Sequence, residues 1–403
     1  MSRPSENPKL VTILHLSQGP SCHTLCNRCH AYKHALSTER DHQGTADKQS
    51  IQGRTMEKFS TWRDPSTGLA PFVYPLPPLS TVQLPRVAWI PLAPLALFRT
   101  AFLVILGVVF VIFETSTLIF SLFSVKFHSA FQYYCTAVFG RIALYLMGFT
   151  QLPSDPPFTR RNSSQKLIST PVRPGDLVVC NWSSYVDVIY LAYLYNPIFI
   201  LPVVKDRVSS PGQEFLVCGF ERKSILEMVF RTGHPPSHNT TTSIKSLAEC
   251  LKESKRLRRP LVVFPEGTTS NNRALLRCPK LNERSVGEHN GKVRMFCLAI
   301  KHETSTPFKN SITVPIPSSP LNLMNIVQAN LIPILLPFIM SPRSILVRFP
   351  RTDFIELDSS PQMINSFELA FDLISQVAKL KLTSQISCAD KSGFLIYLKS
   401  RKS

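Results

Sequence analysis

Pro260-Leu-Val-Val-Phe-Pro-Glu-Gly-Thr-Thr-Ser-Asn-Asn-Arg-Ala-Leu-Leu276 opens as an apolar strand and breaks at a proline–glycine turn into hydroxyl and amide side chains. Leu177-Val-Val-Cys-Asn-Trp-Ser-Ser-Tyr-Val-Asp187 has the same build: a short buried strand over 177–180, a polar loop, then a helix over 186–195. Around these blocks the pattern keeps alternating. Residues 198–204 predict a strand, 215–230 a helix, 242–258 a charged amphipathic helix, 293–301 a helix and 312–316 a strand. Such alternation predicts an α/β fold, with a mixed sheet covered by helices. Ligands in α/β folds bind in loops that follow strands, so both blocks are candidate site loops.

The remaining composition narrows the choices. A chain of 403 residues allows one large domain with extensions, or two domains. Its 44% hydrophobic share supports a sizeable core and excludes a wholly disordered chain. Lys and Arg number 45 against 26 Asp and Glu, a net charge of +19. That balance suits nucleic acid or an anionic membrane surface. The cations are dispersed and form no basic stripe interleaved with aromatics, so the membrane is the expected partner and nucleic acid is not. The ten cysteines make no disulfide framework, and no signal-type apolar run stands near Met1. Free thiols in a cytosol-facing protein are expected.

Five parts follow along the chain. Residues 1–55 read as a polar, disordered extension, with Met56 as an internal translation start. Cys22, Cys26, Cys29 and His30 have haem-like and cluster-like spacings, but no strand–helix pattern surrounds them and no metal is expected. Residues 56–97 read as a Pro-rich linker. Residues 98–150 read as a membrane-embedded helical hairpin. Its first apolar run, Thr100 to Val125, carries only Glu114 as a charge and is long enough to span about 30 Å of hydrocarbon. Its second, Ala130 to Phe149, is interrupted by Arg141. Residues 151–358 form the α/β domain. Within it, 310–342 is uncharged and proline-broken, which suggests a membrane-contacting or chain-lining segment after the strand. Residues 359–403 read as an amphipathic helix and a basic tail.

The second block suits a phosphorylated ligand. Pro265 and Gly267 turn the chain tightly, and Gly267 permits close backbone approach. Thr268, Thr269, Ser270, Asn271 and Asn272 supply donors, Arg273 a bidentate fork for phosphate, and Glu266 an acceptor for a ligand hydroxyl. Cys180, beside the first block, reads as core packing rather than a reactive thiol.

Phe264-Pro-Glu-Gly-Thr-Thr-Ser-Asn-Asn-Arg-Ala-Leu-Leu276 closely resembles the third motif of the PlsC-type glycerolipid acyltransferases. Its longer form looks most like the lysophosphatidylcholine acyltransferase branch. Val314-Pro-Ile316 is similar to the short fourth motif, while 215–231 occupies the place of the second without a clear signature. Asn181-Trp-Ser-Ser-Tyr-Val-Asp187 aligns with the first motif, Asn-His-x-Ser-x-x-Asp, except that Trp182 stands at the histidine. Over residues 56–400 the chain is most similar to the fungal lysophosphatidic acid:oleoyl-CoA acyltransferase family, which shares the Met-Glu-Lys and Trp-Arg-Asp opening and also lacks that histidine.

The resemblance implies transfer of a fatty acyl group from acyl-CoA, as co-substrate with no bound cofactor, to a lysophospholipid hydroxyl. Lysophosphatidic acid would give phosphatidic acid, at the endoplasmic reticulum membrane; a hairpin over 98–150 that enters one leaflet would also permit residence on lipid droplets. It assigns Asn181, Trp182 and Asp187 to the catalytic loop, and Pro265, Glu266, Gly267, Thr268 and Arg273 to acceptor binding. In the family's mechanism the motif histidine takes the hydroxyl proton and the aspartate orients it. Tryptophan has no basic lone pair, so Trp182 cannot be the base. Three readings stay open. Asp187 takes the proton itself or through water; another histidine (His128, His234, His238, His289 or His302) reaches in; or the chain is a non-catalytic lipid-binding or scaffolding member of the fold.

Overall fold

The computed structural model describes residues 59–75, 93–121, 124–152, 159–161, 167–204, 216–236, 244–289, 291–304, 311–317, 343–350 and 354–400. Two compact units divide the chain, Met1–Ser60 and Thr61–Ser403. The expected extension 1–55, its cysteine cluster and Met56 lie outside the described residues, as do His238 and most of the uncharged stretch 310–342.

The second unit opens with two helices, α1 (Ala93–Ser121) and α2 (Val125–Leu146). They meet through aromatic rings, Phe113 lying 5.4 Å from Phe131 and 5.8 Å from Phe139. One face of α1 is open: Leu97, Val104, Ile105 and Ile112 are 70, 61, 58 and 60% exposed. Such a contiguous apolar surface marks contact with a membrane or a partner. Leu97–Thr117 is long and apolar enough to cross a bilayer.

A small ladder of β1 (Thr159–Arg161) and β2 (Leu167–Ser169) precedes the α/β body. That body runs β3 (Leu177–Cys180), α3 (Tyr185–Tyr195), β4 (Ile198–Val204), β5 (Val217–Lys223), α4 (Ile225–Arg231), α5 (Leu247–Leu257), β6 (Leu261–Val263), β7 (Ala274–Leu275), α6 (Glu283–Val286) and β8 (Val293–His302). It continues through β9 (Ile345–Arg348), β10 (Ile355–Leu357), α7 (Ser360–Ala378), β11 (Lys381–Leu382) and α8 (Asp390–Ser400). The central sheet has the order β10-β8-β3-β6-β4-β5, with β9 also on β8. Strands β8, β3, β6 and β4 are parallel; β5, β9 and β10 run antiparallel to their neighbours. This is the mixed sheet with helices that the alternating pattern predicts.

Side chains alternate across the sheet and build a core on each face. Leu177, Val179, Ile200, Val263, Met295 and Cys297 pack with Leu251 of α5 and Phe367, Phe371 and Ile374 of α7. Val178, Cys180, Phe199, Val262, Phe296 and Leu298 pack with Val188 and Leu191 of α3, Met228 of α4 and Leu144 of α2. Gly140 lets α2 close on α3, because an added Cβ there would lie 3.2 Å from the Tyr193 Cβ.

Three expected elements differ. Residues 293–301 are not a helix but the long strand β8, flanked by β3 on one side and by β9 and β10 on the other. A strand buried on both faces loses its alternation, so its apolar run reads equally well as a helix. Residues 215–230 are likewise not one helix. Strand β5 ends at Lys223, and Ser224 then caps α4 through a reciprocal pair: its Oγ accepts from Glu227 N at 3.2 Å, and Glu227 accepts from Ser224 N at 2.7 Å. Residues 312–316 join no strand ladder among the described residues; Val314 N donates instead to Ser183 O at 2.9 Å.

Candidate active site

The first loop leaves the C-terminal end of β3. Asn181 closes the gap to β8 with two bonds, its Nδ2 donating to Ile300 O at 2.9 Å and its Oδ1 accepting from Ile300 N at 2.8 Å. Ser184 caps α3, and Asp187 stands at the third helical position. Asp187 Oδ2 accepts from Ser183 N (2.9 Å), Ser183 Oγ (3.0 Å) and Ser184 N (2.9 Å). Its Oδ1 meets His302 Nε2 at 2.5 Å, with both side chains fully buried. Three donors thus crowd Oδ2 and His302 alone holds Oδ1, so the carboxylate is engaged at both oxygens.

Trp182 points inward. Its ring is fully buried and stacked on Phe264. Its Nε1 donates to Ser184 O at 3.1 Å. The residue at the motif's histidine position therefore fills core space.

The second loop leaves β6, next to β3. Glu266 is buried, with Oε1 accepting from Leu276 N at 3.1 Å and Oε2 from Trp182 N at 3.4 Å. Burial pushes its carboxyl up to about 8, against the pull of those two N–H donors and of Lys391. Pro265 is buried in the turn. Gly267 has φ +64°, and an added Cβ would lie 3.2 Å from Pro202 Cγ. Thr268 Oγ donates to His234 O at 2.7 Å, and Thr269 Oγ to Val314 O at 2.5 Å. Asn272 Nδ2 donates to His302 O at 3.1 Å. Arg273 is exposed and does not converge with the buried members of the loop.

Two segments that the sequence reading sets apart also join the site. Lys391 of α8 is fully buried and donates to Thr268 Oγ (2.7 Å), Thr269 O (2.8 Å) and Thr269 Oγ (3.3 Å). Burial holds its amine well below the usual lysine range, opposed by the charge of Glu266. Residues 61–75, expected within a linker, pack instead against this region: Asn271 Nδ2 donates to Ala70 O at 2.9 Å and to Val73 O at 3.2 Å. Phe72 lies 5.5 Å from Phe394 and 5.6 Å from the Lys391 ammonium. The amphipathic helix expected in 359–403 is α7, which supplies one face of the core.

Of the expected residues, the structure gathers Asn181, Trp182, Asp187, Pro265, Glu266, Gly267 and Thr268 at one end of the parallel strands. His302 arrives there because β8 is a strand. Lys391 had no signal beyond its place in a mildly apolar C-terminal stretch.

Residues 162–308 match the Acyltransferase family model. The chain is 26% identical over 269 residues to a Schizosaccharomyces pombe protein provisionally named as a lysophosphatidic acid:oleoyl-CoA acyltransferase, covering 65% of this chain and 77% of that one. No solved structure matches the chain. The family match falls on both loops and on all four parallel strands, so residues 162–308 form an acyltransferase domain, and the chain that carries it is an acyltransferase.

Proposed function

We propose that the chain transfers a fatty acyl group from acyl-CoA to the free hydroxyl of a lysophospholipid, with lysophosphatidic acid as the preferred acceptor and phosphatidic acid as the product. One observation carries the reading: the two motif loops and the 311–316 segment are tied into a single unit at the strand ends. Trp182 N reaches Glu266, Ser270 N reaches Trp182 O, Val314 N reaches Ser183 O, and Thr269 Oγ reaches Val314 O. The name of the yeast relative supports the acceptor and donor. The net charge of +19 suits an anionic acceptor, the phosphates of CoA and an anionic leaflet. No resident cofactor or metal enters the reaction. Buried polar side chains position the reactants, and binding in that preorganised site supplies the rate.

The apolar helix α1 supports a membrane-bound enzyme. We place it in the endoplasmic reticulum membrane, and also on lipid droplets if α1 and α2 enter a single leaflet. Protease protection that puts the 126–129 loop and the C-terminus on opposite sides would contradict the one-leaflet arrangement.

The deciding assay follows radiolabelled oleoyl-CoA in membranes carrying the wild type, Asp187→Asn or Glu266→Ala, with a panel of lysophospholipids. Product from the wild type alone, greatest with lysophosphatidic acid, is expected. No product from any acceptor, with the protein folded and abundant, would overturn the reading.

A further inference from the structure

We propose that His302, at the end of β8, is the general base of the transfer and does the work of the histidine that the first motif lacks. The inference rests on the acyl-transfer reading and adds the residue that moves the proton.

The topology brings it there. Strand β8 lies parallel to β3, with Cys180 opposite Leu298. Asn181 extends that pairing to Ile300 after β3 has ended. His302 is two residues further along, level with the loop that carries Asp187. Its backbone is held on both sides, by the pairing with Ile345 of β9 and by the amide of Asn272.

The side chain has a division of labour. Nε2–H donates to Asp187 Oδ1 at 2.5 Å, which fixes the tautomer. The basic lone pair is then on Nδ1. That nitrogen is buried and has no hydrogen-bond partner among the described residues. A buried polar atom left unpaired is destabilising. An acceptor hydroxyl placed against Nδ1 would satisfy it. Asp187, fixed through Oδ2 by Ser183 and Ser184 and turned with Oδ1 toward His302, takes the orienting role.

The step balances. The acceptor O–H proton passes to His302 Nδ1 as its oxygen attacks the thioester carbonyl carbon of acyl-CoA. The C–O bond forms, the C–S bond breaks, and the departing CoA thiolate takes the proton from Nδ1. Asp187 stabilises the imidazolium between these events.

The test compares His302→Gln and His302→Ala with the wild type in the oleoyl-CoA assay. Glutamine can still donate an N–H to Asp187 but has no basic lone pair, so it preserves a structural role and removes a catalytic one. Both variants should lose about 10²–10⁴-fold in kcat with KM for acceptor and donor unchanged, and added imidazole should partly restore His302→Ala. A His302→Gln protein that keeps wild-type kcat would overturn the proposal and leave acyl transfer standing. Wild-type membranes without product from any acceptor would overturn both.

Discussion

The indole of Trp182 stacks on Phe264 at 5.2 Å between ring centroids, and Phe264 stacks in turn on Phe199 at 5.9 Å. The three rings come from the first loop, the end of β6 and β4. Restoring a histidine at 182 would place a smaller polar ring in this stack, while the Asp187 oxygen it would need already holds His302. Trp182→His is therefore expected to lower stability by about 3 kcal/mol and to leave acyl transfer no faster. Denaturant titrations beside the oleoyl-CoA assay check both parts. A gain in turnover would mean that Trp182 had displaced the working base.

Lys391 ties the C-terminal helix to the second loop with three hydrogen bonds at Thr268 and Thr269. Lys391→Met keeps most of the volume and removes the bonds. The orphaned Thr269 carbonyl should cost about 1–3 kcal/mol. Because Thr269 also holds Val314, the loop should loosen and turnover should fall more than stability does. Thermal melts and kcat for the variant decide it; a protein with wild-type melting and turnover would show that the loop stands without α8.

Asp64 anchors residues 61–75. One carboxylate oxygen accepts from Ser384 N and Gln385 N, both at 3.0 Å; the other accepts from Thr67 N at 3.0 Å and from the hydroxyls of Ser66 and Thr67. Burial alone would raise its pKa, but the bonds from Ser66, Gln385 and Thr67 bring it down to about 2. The stabilisation is present above the unfolded value of 3.8 and is lost as pH falls through about 2. Asp64→Asn should lower stability at neutral pH, and the gap to wild type should close between pH 4 and 2. Melting curves for both proteins across that range would refute the idea if the gap stayed constant.

The share of this architecture legible in the sequence depends on how local its cause is. Asp187 was legible through the resemblance of 181–187 to the family's first motif, and the turn at Gly267 because a residue tolerant of positive φ fits there. Strand β8 was not, since burial on both faces erases the period that separates strand from helix. With β8 misread, His302 stayed one of five histidines. Ser224 and Glu227 did carry a legible cap signal, which splits 215–230 into strand and helix. Lys391 and Asp64 act across more than a hundred residues of chain, and no local pattern reports such a partner.

Glu266 gives the last test its sign. Its carboxyl has a value of 4.5 when unfolded and about 8 in the folded chain, where burial outweighs the donors at Leu276 and Trp182. Between those values the folded protein keeps a proton that the unfolded chain has released. Raising the pH through this window therefore favours unfolding, and the loss levels off above about 8. Glu266→Gln cannot ionise, so it lacks this slope. It keeps an oxygen for Leu276 N and gives up the longer bond from Trp182 N. The variant should begin near or below wild type at pH 5 and gain on it steadily to pH 8. Denaturant midpoints for both proteins over that interval measure the gain, and parallel curves would show that Glu266 is ionised throughout, with Lys391 holding its charge.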